Sequence, residues 1–301
     1  MPRGKAERSL QLIAEMKRIL KAIQPASVRA VCYQLFIRKL ISSMAKNETN
    51  KVGVQLSYAR KTEIIPWEWV VDETRAIEYG PGWKDKKQFK EQMARSYCRE
   101  YWTGQRIRVQ VWSEKGTVRG TLKPILDKYG VDFFPVHGFN SDTAMHDTVA
   151  SAILSDVPLN ILYVGDRDCS GLYMVEVDLP NRLLEFWKRE HLSVALFEKK
   201  IKIIHVALTE KDCENLPSYP AKKTDTRHAW YVKNHGYKAW ELDAMSPVIL
   251  RRRVEQAILK LPIDWAAWER TEKCSQAEQA SLENVLTAWQ NLKEKNISRQ
   301  A

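Results

Sequence analysis

The chain of 301 residues has no uninterrupted apolar run long enough to cross a bilayer, and its first twenty residues are charged throughout. The first absence argues against a membrane-spanning helix, and the second against a secretory leader. Cysteine is scarce. The five thiols (Cys32, Cys98, Cys169, Cys213, Cys274) are odd in number and form no C-x-x-C pair. That reads as reduced cytosolic thiols, with neither a disulfide framework nor a zinc site. The six histidines show no H-x-x-x-H spacing, so none is assigned to zinc. No G-x-x-x-x-G-K-[ST] loop or other glycine-rich phosphate cradle occurs, so the chain alone is not expected to hydrolyse ATP. Internal repeats and low-complexity tracts are missing too.

What is present is a foldable composition with an uneven charge. A hydrophobic fraction of 44% with 10% aromatics is enough for a real core, in one large domain or two ordinary ones. Residues 1–108 carry 22 basic and 11 acidic side chains, whereas residues 109–301 carry 26 of each. The whole excess of +11 therefore sits in the N-terminal third. A basic module joined to a balanced one points to a polyanion partner, with nucleic acid the default.

Residues 9–23 place Leu10, Ile13, Met16, Leu20 and Ile23 at helical steps, and Pro25 breaks the pattern. Ser27 is the expected N-cap of a second helix to about Leu40, and a third pattern ends near Thr62. The segment IIPWEWVVD (residues 64–72) then reads as a strand-like hairpin. Three helices and a hairpin are the grammar of a helix-turn-helix or winged-helix module. Residues 79–84 read as a turn and 85–103 as a strongly basic helix. After Gly104 the texture changes: strands at 107–111, 131–136, 160–164 and 202–208 alternate with helices at 118–129 and 144–154. That alternation predicts a mostly parallel sheet with helices on its faces. Residues 276–295 read as a surface-docked helix.

The most informative segment is NILYVGDRDCSG (residues 160–171), where an apolar strand runs into Asp166 and Asp168 between two glycines. In an open parallel sheet the ligand crevice lies beyond the carboxyl ends of the strands. A second strand, residues 108–112, ends just before Glu114. Three carboxylates at neighbouring strand ends suit Mg²⁺ or Mn²⁺, which stabilises charge on a phosphoryl group.

Glu114 followed by GDRDCSG resembles the Toprim signature. SVRAVCYQL (residues 27–35) resembles the S-x-R-x-x-Y motif of the topoisomerase VI A subunit family, with order and spacing matching over about residues 8–270. The chain is most similar to the compact, B-subunit-free Mini-A forms of mobile elements. The resemblance implies an α/β protein: a basic, CAP-like winged-helix domain over residues 1–105, then a Toprim domain with a C-terminal helical extension over 106–301. It makes Tyr33 the nucleophile with Arg29 as its partner, and Glu114, Asp166 and Asp168 the ligands of Mg²⁺ or Mn²⁺. One departure stands out. Where the family often has two tyrosines, Cys32 holds the first position, and the second, usually catalytic, is retained as Tyr33.

The implied activity is Mg²⁺-dependent DNA strand cleavage by tyrosine transesterification. It carries with it a cytoplasmic setting (bacterial, archaeal, phage or plasmid), a homodimer sharing its sites between protomers, and no membrane. A separate ATPase subunit is not excluded. Arg29 lies four residues before Tyr33 on one helical face, and the wheel turns Tyr33 out of the apolar stripe. Without the resemblance, the plainer reading packs Tyr33 against Ile37. The expected DNA contacts are Arg38, Lys39, Arg60, Lys61, Lys84, Lys86 and Lys87, with Arg95 and Arg99 beyond them. Trp67, Trp69, Trp83 and Trp102 among them read as packed residues. Glu210, Asp212, Arg227 and Asp243 are candidates for supporting or phosphate contacts, and Arg251–Arg253 for a phosphate contact or a solvated helix face. Two rival functions remain: a Toprim nuclease hydrolysing DNA without a covalent tyrosine, and a non-catalytic DNA-binding or strand-annealing protein.

Overall fold

In the computed structural model the first amphipathic stripe becomes helix α1 (Glu7–Ile23), burying Ile13, Met16, Ile19, Leu20 and Ile23. Residues 7–71, 82–136 and 142–291 are described, apart from the Arg95 side chain. After Pro25 a two-residue strand, β1 (Ala26–Ser27), leads straight into α2 (Val28–Ile37). Ser27 caps α2 as expected, its hydroxyl accepting from the Ala30 N–H at 3.0 Å. With α3 (Lys46–Lys61) these helices close one core around Val31, Leu35, Val52, Leu56 and Ile65. The expected hairpin takes another form. Trp67–Trp69 make a single 3₁₀ turn, and β2 (Val70–Val71) pairs in parallel with β1. Residues 72–81, including the first half of the expected turn at 79–84, lie outside the described residues.

The sheet is parallel throughout, as the alternation predicts. It contains β3 (Arg108–Ser113), β4 (Asp132–Pro135), β5 (Leu159–Val164) and β6 (Ile201–Ala207) in the order β4-β3-β5-β6. The chain leaves β3 in one direction through α5 (Val118–Tyr129). It returns through α6 (Asp142–Leu154) to pair β5 on the other side of β3. The strand order thus reverses between β3 and β5, and right-handed crossovers put their helices on opposite faces. Trp112, Ile161 and Tyr163 point to the face where Met145, Val149, Leu183 and Trp187 of α6 and α8 (Leu179–Arg189) close the core. Between β5 and α8, α7 (Cys169–Tyr173) continues through a π-helical turn. Beyond α8 come α9 (Val194–Lys200), β7 (Tyr219–Pro220), α10 (His228–His235), β8 (Lys238–Ala239) and α11 (Pro247–Leu259).

By their contacts the residues form two compact units, Met1–Arg75 with Ile107–Pro262, and Ala76–Arg106 with Ile263–Ala301. The first three helices thus share a unit with the sheet. In the second unit α4 (Lys86–Ser96) and α12 (Trp265–Asn291) pair. α4 is shorter than its basic pattern, because Tyr97 turns extended and Arg99 reaches Glu278. α12 begins before the expected residue 276, capped by Asp264, which accepts from the Ala267 N–H at 2.9 Å. Trp102 is buried against Trp268 there, while Trp83 remains exposed. Among the described residues no helix is long and apolar enough to cross a membrane.

Of the three consecutive arginines, only Arg252 is exposed. Arg253 pairs with Asp212. Arg251 turns inward and donates to the carbonyls of Ile23 and Gln24 at 3.0 Å, Pro25 at 3.1 Å and Thr121 at 3.2 Å. It thereby satisfies carbonyls that the end of α1 leaves without helical partners. Replacing it by Met strands several part-buried acceptors, and we expect a loss of about 3 kcal/mol in urea denaturation. Arg251→Lys, which lacks the fork, should lose more than half of that; a lysine variant as stable as wild type would contradict this role.

Candidate functional site

The site grows from the two central strands. Trp112 of β3 lies opposite Tyr163 of β5, so the loops that follow emerge side by side. Glu114 heads the first loop, and Asp166 and Asp168 the second. Asp168 caps α7, its Oδ1 accepting from the N–H groups of Ser170 at 3.0 Å and Gly171 at 2.9 Å. Gly171 is required by close approach. A Cβ there would fall 2.1 Å from the Asp166 carbonyl oxygen and 3.2 Å from Glu114 Oε1. The glycine that ends the sequence motif thus lets helix, Asp loop and Glu114 meet.

The three carboxylates feel one another. Burial, then the charges of Asp166 and Asp168, push the Glu114 carboxyl up to about 7. Asp166 is only 8% exposed and is held by two donors: the Leu242 N–H at 2.7 Å and the Lys115 ammonium at 2.8 Å, both on Oδ1. Lys115 also meets Asp243 Oδ2 at 3.1 Å. Burial works against the lysine charge, but Asp166 and Asp243 more than offset it and keep the ammonium protonated. Beneath the loops the fully buried Tyr163 hydroxyl has no hydrogen-bond partner. Its phenol is pushed far up by burial and then by Glu114, Asp166 and Asp168.

These features test the fit to a divalent cation. The donors are hard oxygens, and at Glu114 burial with the charges of Asp166 and Asp168 outweighs the pull of Lys115, so the chemistry fits. The spacing is looser: among the described residues no three His, Cys, Asp or Glu side chains converge as a ligand group.

Tyr33 belongs to the same neighbourhood through residues that the motifs did not mark. The Arg29 guanidinium grips the Glu241 carboxylate with both Nε and Nη2, and lies 5.8 Å from the Tyr33 ring centre. Ser27 Oγ donates to Asp243 Oδ1 at 2.7 Å. Glu241 and Asp243 flank Leu242, whose N–H holds Asp166, while Trp240 pairs by both backbone bonds with Arg167. Residues 240–243 therefore tie the aspartate loop to the start of α2. Tyr219 on β7 senses Asp168, Asp166, Glu241 and Tyr33 together, which raises its phenol further after burial.

The wheel-based expectation for Tyr33 needs correction. Rather than reaching out of the core, Tyr33 is 4% exposed. Burial and then the Glu241 carboxylate push its phenol well up, against the pull of Arg29 and Lys115. The wheel describes one helix, and the cover here includes Glu241, more than 200 positions away in the chain.

Of the expected DNA contacts, Arg38, Lys39 and Lys61 are exposed on the first unit. Arg60 donates to the Trp67 carbonyl at 3.2 Å and stacks 4.2 Å from the exposed Trp67 ring. Lys84, Lys86 and Lys87 belong to the second unit, with Lys86 5.6 Å from the Trp289 ring. Asp243 joins the site, whereas Asp212 caps its own turn through Thr209 and Arg227 bonds Asp225. Glu210 opens the turn that Asp212 caps. Sequence reasoning missed Lys115, Tyr219 and Glu241. Lys115, next to a strand-end glutamate, was the one with a local signal. No family model matches this chain, and no curated protein matches it.

A pH-dependent prediction follows from Glu114. Its folded-state proton affinity exceeds the unfolded one, so its penalty is absent below about pH 4.5 and complete once pH rises through about 7. Without divalent metal, Glu114→Gln should stabilise the protein by about 2 kcal/mol at pH 8 and by almost nothing at pH 4.5. Denaturation curves at the two pH values check this; an equal effect at both would contradict it.

Proposed function

We propose that this chain is a Mg²⁺-dependent DNA strand-cleaving enzyme of the topoisomerase VI A subunit kind, acting through a phosphotyrosyl bond at Tyr33. One observation carries the reading: Tyr33, Arg29 and the strand-end carboxylates stand in one charged network within one compact unit, linked by residues 240–243. The switch point between β3 and β5 is where an open α/β sheet takes its ligand. On this reading the sheet is a Toprim domain, and α1 to α3 with the β1–β2 pair form a winged-helix-like module. The basic excess of the first 108 residues favours a nucleic-acid duplex.

Glu114, Asp166 and Asp168 would hold Mg²⁺ or Mn²⁺, which when bound neutralises charge on a diester. Arg29 would orient the scissile phosphate beside Tyr33. The tyrosine oxygen would bond to phosphorus, giving up its phenolic proton to solvent, as the ester bond to one sugar oxygen breaks. That oxygen takes up a proton to become a hydroxyl, and the bond energy is kept for resealing. Lys115 holds Asp166 and Asp243 in place meanwhile. Cutting both strands calls for two such sites, which a homodimer supplies, each on this reading completed within one chain rather than shared between protomers as the resemblance implies. ATP-gated strand passage would require a separate ATPase subunit.

The burial of Tyr33 and its raised phenol favour a second reading: a metal-dependent Toprim nuclease in which water cuts and Tyr33 is a packed residue. Supercoiled plasmid incubated with Mg²⁺ or Mn²⁺, stopped with detergent and divided with and without protease, separates the two. We expect nicked or linear DNA released only by protease, and lost in Tyr33→Phe and Glu114→Gln. Cutting that needs no protease and survives Tyr33→Phe would establish the nuclease.

A further inference from the structure

Arg29 does not offer its fork to solvent in the free protein. Both of its bonds go to Glu241, whose carboxylate presents two coplanar oxygens to the guanidinium. A phosphodiester presents its two non-bridging oxygens in the same way, and the fork binds either class bidentately. The Arg29 side chain is 46% exposed, whereas that of Glu241 is 18% exposed, so the arginine is the more accessible partner of the pair. Arg29 lines a groove of about 830 Å³ between α2 and α3 whose surface is mostly apolar, with Val28, Cys32 and Val54, and whose polar members include Thr49, Asn50, Ser57 and Lys61. All four carry hydrogen-bond donors, and Lys61 adds a second cation.

We propose that Glu241 is the resident stand-in for the substrate phosphate: it fills the Arg29 fork until a phosphodiester entering along the α2–α3 groove displaces it. This rests on the reading of Arg29 as the phosphate-holding residue. Because Glu241 shares a four-residue segment with Leu242 and Asp243, its release frees the stretch that also grips Asp166 and Ser27. Phosphate arrival is thereby linked to the carboxylate loop. Glu241 is a positioning residue, acting through Arg29. An arginine occupied by its own carboxylate binds phosphate with an affinity reduced by the fraction of time the fork is free.

Inorganic phosphate is the probe, titrated calorimetrically at low salt without divalent metal. Its binding needs no DNA, metal or covalent step. A failure of Tyr33 to cleave DNA therefore leaves this comparison intact, and the two ideas fall separately. Glu241→Gln keeps the shape but weakens the hold on Arg29. We expect it to bind phosphate about tenfold more tightly than wild type, and the gain to vanish in the double variant Arg29→Gln/Glu241→Gln. If Glu241→Gln does not fold, Glu241→Asp, too short to span the fork, carries the same expectation. Equal phosphate affinity in wild type and the folded Glu241 variant would overturn the proposal. So would a gain that persists without Arg29.

Discussion

The hydrogen bond from the Leu242 N–H to Asp166, with the Lys115 ammonium on the same oxygen, is the contact on which the candidate site hangs. A buried carboxylate without donors is expensive, and removing one partner of such a pair costs more than the pair contributes. Asp166 is affordable in the interior because residue 242 arrives with its backbone N–H aimed at it. The same arrival delivers Glu241 to Arg29 and Asp243 to Ser27 and Lys115. One short segment thus sets the start of the tyrosine helix relative to the carboxylate loops, and both belong to the unit whose sheet supplies the rigid base.

The electrostatics of the site are unbalanced in a way that a purely structural cluster would avoid. Lys115 compensates Asp166 and Asp243, while at Glu114 burial and then the charges of Asp166 and Asp168 outweigh the pull of Lys115 and lift the carboxyl to about 7. Close packing at Gly171 and the orphaned Tyr163 hydroxyl add to the same small region. Local costs concentrated at strand ends over a well-packed sheet support the proposed reading of this region as a site.

Much of the sheet could be read from the chain because its strands are short apolar runs whose pattern is local. Glu114, Asp166 and Asp168 stood out because strand, turn and carboxylate are adjacent in sequence. What could not be read depends on distant contacts. The role of Glu241 exists only once β7, α10 and β8 have folded the chain back onto α2. Nothing local separates Arg251, which turns inward onto the end of α1, from exposed Arg252 beside it. The hairpin expected after α3 is replaced by a parallel pairing to two residues near position 26, too short to announce itself by alternation. The α4–α12 unit joins segments more than 150 residues apart, which no boundary drawn along the chain can express.

Covalent capture at Tyr33 tests the central claim most directly. The protein would be incubated with Mg²⁺ and a duplex oligonucleotide, denatured, digested with nuclease and protease, and mapped by mass spectrometry. The account predicts a nucleotide joined by a phosphodiester to the peptide containing Tyr33. Cut DNA with no adduct on any peptide, or an adduct on a different residue, would contradict it.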